Sequence, residues 1–139
     1  MSVYYDEVYI KTKGEVDIID ITKDVQSIVS KSKIKNGIAC VFIPGSTGCI
    51  TTIEYEPGLK KDLPKILQRI APKGEHYEHH ETWHDDNGHS HVRAALLGPS
   101  LSVPVVEGQM MLGTWQQIIL VDFDTRARTR TVICQIIGE

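Results

Sequence analysis

The chain has 139 residues, of which 41% are hydrophobic and 24% charged, a composition typical of one globular domain rather than a disordered or collagen-like chain. Its 18 acidic and 15 basic residues give a formal net charge of −3, so overall charge gives no reason to expect binding to nucleic acid or to a membrane. No apolar run approaches the roughly 20 residues that span a bilayer, and the N-terminus lacks a signal-peptide pattern. The three cysteines form no CxxC pair. We therefore expect a reduced, cytoplasmic protein.

Two strands are predicted at the N-terminus, at residues 4–11 and 15–20, where β-branched and aromatic residues flank a glycine turn at residues 12–14. These strands are expected to form a hairpin. A helix is predicted next, because apolar residues recur at helical spacing behind Asp20 or Thr22 as the N-cap. This apolar stripe consists of Ile21, Val25, Ile28 and Val29.

Residues 38–43 and 49–55 are predicted as strands on either side of the loop Pro44-Gly45-Ser46-Thr47-Gly48. The first strand is a continuous apolar run, which is typical of a strand buried on both faces. An apolar stripe in residues 59–70 predicts a second helix, in which Pro64 requires a position in the first turn or a kink.

A short helix is predicted at residues 92–97, with Ser90 as its N-cap and Gly98-Pro99 at its end. In the rest of the chain, apolar and polar residues alternate with a period of two, which predicts antiparallel strands. Trp115 is expected in the core. These strands are residues 101–106, 109–112, 115–123 and 128–137. Strands at both ends with helices between them indicate an α+β fold in a single domain with two to three helices.

All six histidines fall within residues 76–91. The same stretch contains acidic residues, and imidazoles with carboxylates suit zinc or another divalent transition ion. A metal site is therefore the leading interpretation. The alternative is a solvated loop, although such a loop has no need for Trp83.

His80-Glu81-Thr82-Trp83-His84 matches the HExxH pattern of zinc metallopeptidases, which requires a helix with both histidines on one face. Turn residues follow at once and leave barely two helical turns, so a peptidase is the weaker alternative. His89 and His91 share a face only in extended chain and diverge at a helix entry, and His91 is the favoured ligand. Asp86 is the first choice for a ligand, a hydrogen-bond partner of an imidazole, or a general base.

The loop Gly45-Ser46-Thr47-Gly48 presents backbone N–H groups and hydroxyls that suit an anion, and an ordinary tight turn is the alternative. Arg126, Arg128 and Arg130 alternate along one strand face and form either an anion-binding stripe or a solvated face. Glu54 lies on a strand expected to be half-buried, where a carboxylate requires a partner or a function.

Five segments are distinctive in combination and order: PGSTGCITTIE at 44–54, YEH at 77–79, DNGHSHVRAALLGPS at 86–100, LGTWQ at 112–116 and IGE at 137–139. With these segments the chain resembles, over nearly its whole length, the YjbQ-like family of small bacterial and archaeal proteins, often labelled secondary thiamine-phosphate synthase. The resemblance implies an antiparallel β-sandwich within the α+β class. It also implies a homotrimer with polar sites near the subunit boundaries.

The resemblance also implies which residues form the site. The positions that match the polar set of the family are Ser46, Thr47, Glu54, His79, Asp86, His91 and Arg93. A divalent ion, zinc or alternatively magnesium, is expected on His79 and His91, with His89 as a further ligand. Many members carry histidine where this chain has Gly45, and His84 or His89 is the candidate replacement.

The activity attached to the family joins hydroxymethylpyrimidine diphosphate to hydroxyethylthiazole phosphate, which gives thiamine phosphate and pyrophosphate. On this reading Glu54 and Asp86 are the acid/base candidates, while Ser46, Thr47 and Arg93 hold phosphate groups of a phosphorylated small-molecule substrate. A non-catalytic metal- or ligand-binding protein is the alternative, and an HExxH metallopeptidase is a weaker one.

Overall fold

The computed structural model describes all 139 residues and contains eight strands and four helices. The elements are β1 (Ser2–Thr12), β2 (Asp17–Asp20), α1 (Thr22–Ser32), β3 (Gly37–Phe42), β4 (Gly48–Ile53), α2 (Pro57–Ile70), α3 (Glu78–Trp83), α4 (Gly88–Leu97), β5 (Ser100–Val106), β6 (Gln109–Met110), β7 (Gln117–Asp122) and β8 (Arg128–Gly138). The predicted α+β class with antiparallel strands is confirmed. The structure has four helices rather than two or three, because the histidine segment contains the short helix α3.

The strands form a five-stranded sheet in the order β1-β8-β3-β5-β6 and a three-stranded sheet in the order β2-β7-β4, and every pairing is antiparallel. The predicted N-terminal hairpin is wrong, because β1 and β2 belong to different sheets. All 11 residues of β1 pair with β8, with Tyr5 opposite Gln135. A hairpin with the four-residue β2 would leave most of those backbone groups unpaired.

Two apolar cores lie on the two faces of β7. Ile118 and Leu120 contribute to a cluster of 17 buried residues that also includes residues of α1 and the five-stranded sheet. Ile119 and Val121 belong to a second cluster with residues of α2 and α4. Successive strand residues point to opposite faces, so a strand between two cores must be apolar throughout. This layering holds α4 against the three-stranded sheet.

The predicted helices are present with different ends. At α1, Asp20 Oδ1 accepts hydrogen bonds from the backbone N and the Oγ1 of Thr22. Pro64 lies in the interior of α2 rather than in its first turn. Ser90 lies inside α4 rather than at its N-cap, and its Oγ donates to the backbone oxygen of Phe123 at 2.5 Å. The last helix therefore begins at Gly88, before the predicted start.

The outer face of the five-stranded sheet is apolar and exposed. Ile38 is 51% exposed and Phe42 is 37% exposed, so the apolar run at residues 38–43 forms a strand with only one buried face. Trp115, predicted in the core, lies in the turn before β7 and is 70% exposed. No helix has both the length and the apolar character needed to cross a membrane.

Candidate functional site

A polar cleft of about 360 Å³ lies where the loop between β3 and β4 meets the start of β8 and the first turn of α4. We call it the His91 cleft. It is lined by Pro44, Gly45, Ser46, Thr47, Asn87, His91, Asp124, Arg128 and Arg130. A hollow of about 230 Å³ continues between the loop and α4, and it shares Gly45, Ser46 and His91 with the cleft. A ligand larger than a single phosphate group therefore has room to bind.

Beside this cleft lies a network of two carboxylates and two guanidinium groups. Arg130 donates to both oxygens of Asp122, from Nε at 2.9 Å and from Nη2 at 2.8 Å. Its Nη2 also donates to Thr47 Oγ1 at 2.7 Å, and this hydroxyl donates to Asp124 Oδ2 at 3.0 Å. Arg128 Nε donates to the same Asp124 oxygen at 2.7 Å. The charges of the network therefore balance.

The network keeps both carboxyl groups ionised. Burial by itself raises the pKa of Asp122, but hydrogen bonds from Arg130 and Thr12 outweigh burial and hold that pKa below its ordinary value. Burial likewise raises the pKa of Asp124, and the hydrogen bond from Thr47 is the largest of the contacts that lower it overall. Two ionised carboxylates in turn fix the orientation of the two guanidinium groups.

Several N–H groups around the cleft have no acceptor in the protein. Arg130 Nη1 and both terminal nitrogens of Arg128 donate no hydrogen bond to the chain. The backbone N–H groups of Gly45, Ser46 and Thr47 also donate none. Successive loop amides beside guanidinium groups suit an anion such as a phosphate group.

Gly45 determines the space available to these donors. Its φ of +150° is strained for a residue with a side chain, and a Cβ there would lie 3.1 Å from Arg130 Nη1. A side chain at position 45 would therefore crowd the guanidinium group. The loop conformation and the position of Arg130 both fit glycine.

The structure brings His79 and His91 together on the α3–α4 side of the cleft, with their ring centroids 4.5 Å apart. Asp85 Oδ1 lies 3.3 Å from His79 Nε2. Burial lowers the pKa of His91, and the neighbouring His79 lowers it further. His91 is therefore biased toward the neutral imidazole, which is the form that ligates metal ions.

Two buried polar atoms at this pair, one in His79 itself and one in Asn87, lack a hydrogen-bond partner. His79 Nε2 and Asn87 Oδ1 are sealed from solvent and make no hydrogen bond of good geometry. Buried polar atoms without partners are rare in proteins and often indicate an ion, a water molecule or a ligand. No group of three or more His, Cys, Asp or Glu side chains is arranged to hold a metal ion. The two imidazoles alone therefore do not make a complete metal site, and an ion held there would need further ligands, from Asn87 or from outside the chain.

His89 is not part of this site, contrary to the prediction. It is 1% exposed, and its Nε2 lies 3.2 Å from Glu15 Oε2. Because α4 begins at Gly88, His89 and His91 are both helical and point about 200° apart around the axis. Asp86 is exposed and its side chain forms no hydrogen bond or ion pair within the chain, whereas its neighbour Asp85 approaches His79.

Arg93 and Glu54 also lie outside the His91 cleft. Arg93 is 2% exposed; its Nε donates to the backbone oxygen of Ala71, and its Nη2 donates to Gln68 Oε1. Glu54 follows the end of β4 opposite to the cleft, about 20 Å along the strand from Thr47 at ~3.3 Å per residue. Of the predicted phosphate-binding residues, only Ser46 and Thr47 line the cleft.

The HExxH segment does not form the arrangement that a metallopeptidase requires. Helix α3 has six residues, and His84 ends it in a left-handed conformation with φ of 55°. His80 Nε2 accepts a hydrogen bond from the backbone N of Gly88 at 3.3 Å. The two histidines therefore do not share a helical face, and the structure gives no support for a peptidase. His84, a candidate replacement for an imidazole at position 45, is exposed and is not among the residues that line the His91 cleft.

Sequence reasoning missed the buried ion-pair network. The sequence gives no local indication that Asp122 and Asp124 are buried, yet both are at most 1% exposed. Arg130 was treated as one of three similar arginines. The available signal was its place in the inward row of β8, ahead of Val132 and Cys134, where a charged residue needs a buried partner.

Two stacked antiparallel sheets with a polar cleft at one edge define the structural class, and comparison with known proteins identifies the family. A family model described as "UPF0047 protein YjbQ-like" matches residues 6–139. The chain therefore belongs to the YjbQ-like UPF0047 family, as the sequence resemblance predicted.

Relatives and solved structures agree with this assignment. A UPF0047 protein of Methanothermobacter thermautotrophicus is 39% identical over 139 residues, which are 100% of this chain and 95% of the relative. The UPF0047 protein YugU of Bacillus subtilis is 34% identical over 131 residues, 93% of this chain and 96% of its own. A YbjQ-like protein of unknown function from Sulfolobus solfataricus P2 has a TM-score of 0.94 and 38% identity, and the match covers 99% of both chains.

Proposed function

We propose that the His91 cleft binds the phosphate groups of a phosphorylated small molecule and catalyses a thiamine-phosphate synthase-type transfer. The single observation that carries this proposal is the convergence of unpaired donors on one cleft: Arg128, Arg130 and three successive loop amides. The reaction joins the pyrimidine and thiazole units suggested by the family resemblance. The native substrate is a separate question, because the family activity is regarded as secondary.

The proposed roles follow the geometry of the cleft. In the reaction, the bond between the pyrimidine methylene carbon and the diphosphate breaks, a bond from that carbon to the thiazole nitrogen forms, and pyrophosphate leaves. Arg128 and Arg130 would stabilise the negative charge that develops on the departing diphosphate. The loop amides at residues 45–47 would position a phosphate group. Tightly held donors of this kind act through orientation and electrostatics, so no protein nucleophile is required.

A divalent ion is part of the proposal. His79 and His91 would hold it, and when bound it would neutralise phosphate charge beside the guanidinium groups. His91 lines the cleft itself. Its lowered pKa keeps the imidazole available as a ligand at neutral pH.

The test is a product assay with the pyrimidine diphosphate and the thiazole phosphate. Relative to wild type, Arg128→Ala and His91→Ala should each lower kcat/KM by about tenfold or more, since each removes a charged or ligating contact at the cleft. Glu54→Gln serves as the control, because Glu54 lies at the far end of β4, and it should retain wild-type rates. Equal rates in all four proteins, or no product in any, would contradict the proposed activity.

A non-catalytic binding protein is the second candidate, and one observation favours it. Both carboxylates of the cleft network are already paired with arginines, so neither is free to act as a general base. On this alternative, calorimetry would detect a pyrophosphate-binding event at the His91 cleft that is lost in Arg128→Ala, while the product assay stays negative for every protein.

A further inference from the structure

A second cleft lies on the other side of α4. Its volume is about 310 Å³, and it is lined by Glu15, Val16, Pro64, Gln68, Lys73 and Arg93. We call it the Arg93 cleft. It shares no lining residue with the His91 cleft. Its chemistry is therefore independent of the function proposed above.

Arg93 is a buried cation without a paired anion. Although it is 2% exposed, no carboxylate lies within 4.0 Å of its guanidinium group. The Glu15 carboxylate also lines the cleft, but it is already engaged by Lys73 Nζ and by His89 Nε2. Burial lowers the pKa of Arg93 overall, and Glu15 raises it from beyond contact distance. A buried guanidinium group with no anion in contact is costly, so residues of this kind are usually paired or bind a ligand.

The guanidinium group retains one free donor. Its Nε donates to Ala71 and its Nη2 to Gln68, whereas Nη1 makes no hydrogen bond to the protein. The only sealed side-chain polar atoms without partners are in His79 and Asn87. Because Arg93 lines the cleft and Nη1 is not among the sealed atoms, Nη1 is accessible from the cleft.

We propose that the Arg93 cleft is a second anion site, which binds a phosphate group between Arg93 Nη1 and the ammonium group of Lys73. Arg93 would supply the buried, oriented donor, and Lys73 the mobile charge at the rim, where its side chain is 52% exposed. The Gln68 side chain orients the guanidinium group and fixes the backbone from which Lys73 extends, since its Oε1 accepts from Arg93 Nη2 and from the backbone N of Lys73. The Glu15 carboxylate opposes the bound anion and limits its affinity.

Calorimetric titration with inorganic pyrophosphate at low salt tests this proposal. Wild type should show a binding event that Lys73→Ala weakens by about tenfold, because the variant removes one cation and leaves Glu15 uncompensated. Glu15→Gln should have the opposite effect and tighten the same event several-fold. Lys65→Ala is the matched control, since Lys65 is an exposed lysine of α2 outside the cleft, and it should bind as wild type does.

Further variants distinguish binding at one cleft from binding at the other. Arg128→Ala removes donors from the His91 cleft only, so the event that depends on Lys73 should persist in this variant. If Lys73→Ala and Lys65→Ala bind pyrophosphate equally, or if Arg128→Ala abolishes all binding, the Arg93 cleft is not an anion site. If no Lys73-dependent binding event is found, the function proposed for the His91 cleft still stands. A negative product assay likewise leaves the proposed anion site in the Arg93 cleft unaffected.

Discussion

Arg130 and Asp122 form two parallel hydrogen bonds inside the protein, at 2.9 and 2.8 Å, with Arg130 8% exposed and Asp122 fully buried. A paired geometry of this kind fixes the plane of the guanidinium group. It therefore also fixes the direction of Nη1, the donor beside Gly45. The pair is thus part of the support of the His91 cleft as well as part of the core.

The first prediction concerns stability. Arg130→Met leaves Asp122 buried without its partner and should reduce the free energy of unfolding by about 3–5 kcal/mol. Arg126→Ala is the control, because this nearby arginine is exposed, and its effect should stay within about 0.5 kcal/mol. Urea denaturation followed by circular dichroism measures both values. Similar values for the two variants would contradict the structural role of the pair.

The second prediction concerns the stability of the fold at acidic pH. The pKa values of Asp122 and Asp124 are lowered in the folded chain, so both carboxylates stabilise the fold above their ordinary pKa near 4. This contribution is lost as the pH falls through the lowered values. The urea midpoint should therefore fall steeply below about pH 4. Asp124→Asn should flatten that fall, and an unchanged slope would exclude Asp124 as a source of the acid sensitivity.

The third prediction concerns metal content, measured by elemental analysis of protein purified without an affinity tag. Wild type should carry zinc or another divalent ion, and both His79→Ala and His91→Ala should lose most of it. His84→Ala should retain it, since His84 is an exposed histidine of the same segment. Low metal content that does not change in His91→Ala would mean that the histidine pair has another role.

The fourth prediction concerns assembly. The outer face of the five-stranded sheet has a hollow of about 400 Å³ lined by Ile38, Cys40, Phe42, Ile133, Gln135 and Ile137, and exposed apolar faces of this kind usually mark interfaces. We expect this face to contact neighbouring copies in the homotrimer implied by the family. Light scattering should give three times the chain mass of 15.6 kDa.

Two variants test where that interface lies. Ile38→Lys should dissociate the trimer without loss of fold, because Ile38 is already half-exposed in the single chain. Ile66→Lys on α2 is the control, since its exposure is similar but it lies away from the sheet. Wild type at monomer mass would rule out the trimer, and an intact Ile38→Lys trimer would place the interface elsewhere.

The elements that sequence could predict are those with local signals. The apolar stripes of residues 21–29 and 59–70 depend only on residues within a few turns, so α1 and α2 were predicted, although their ends were not. The N-terminal hairpin was wrong because the choice between neighbouring and distant strand partners is not encoded locally. The pairing of Tyr5 with Gln135 spans almost the whole chain.

The residues of the candidate site likewise divide into those indicated by local sequence and those placed by distant contacts. His79 and His91, which sequence analysis expects to act together, have ring centroids 4.5 Å apart, and both belong to one compact segment. The role of Arg93 followed only from the family resemblance, and its place in the fold is set by tertiary contacts, in which its Nε donates to the backbone oxygen of Ala71. His89 was expected as a further ligand, yet as a helical residue two positions before His91 it points about 200° away from it. Asp122 was missed because its partner Arg130 approaches from another sheet.

Because side chains alternate along β8, one strand register places both the guanidinium group at the cleft and the residues that line the outer hollow. Arg130, Val132, Cys134 and Ile136 point inward, while Ile133, Gln135 and Ile137 line the outer hollow. Insertion of one residue between Arg130 and Val132 would exchange the two rows, which would turn core residues to solvent or move the guanidinium group off the cleft. We therefore expect length variation among homologues to be absent from β8 and to collect in the exposed turn at residues 125–127.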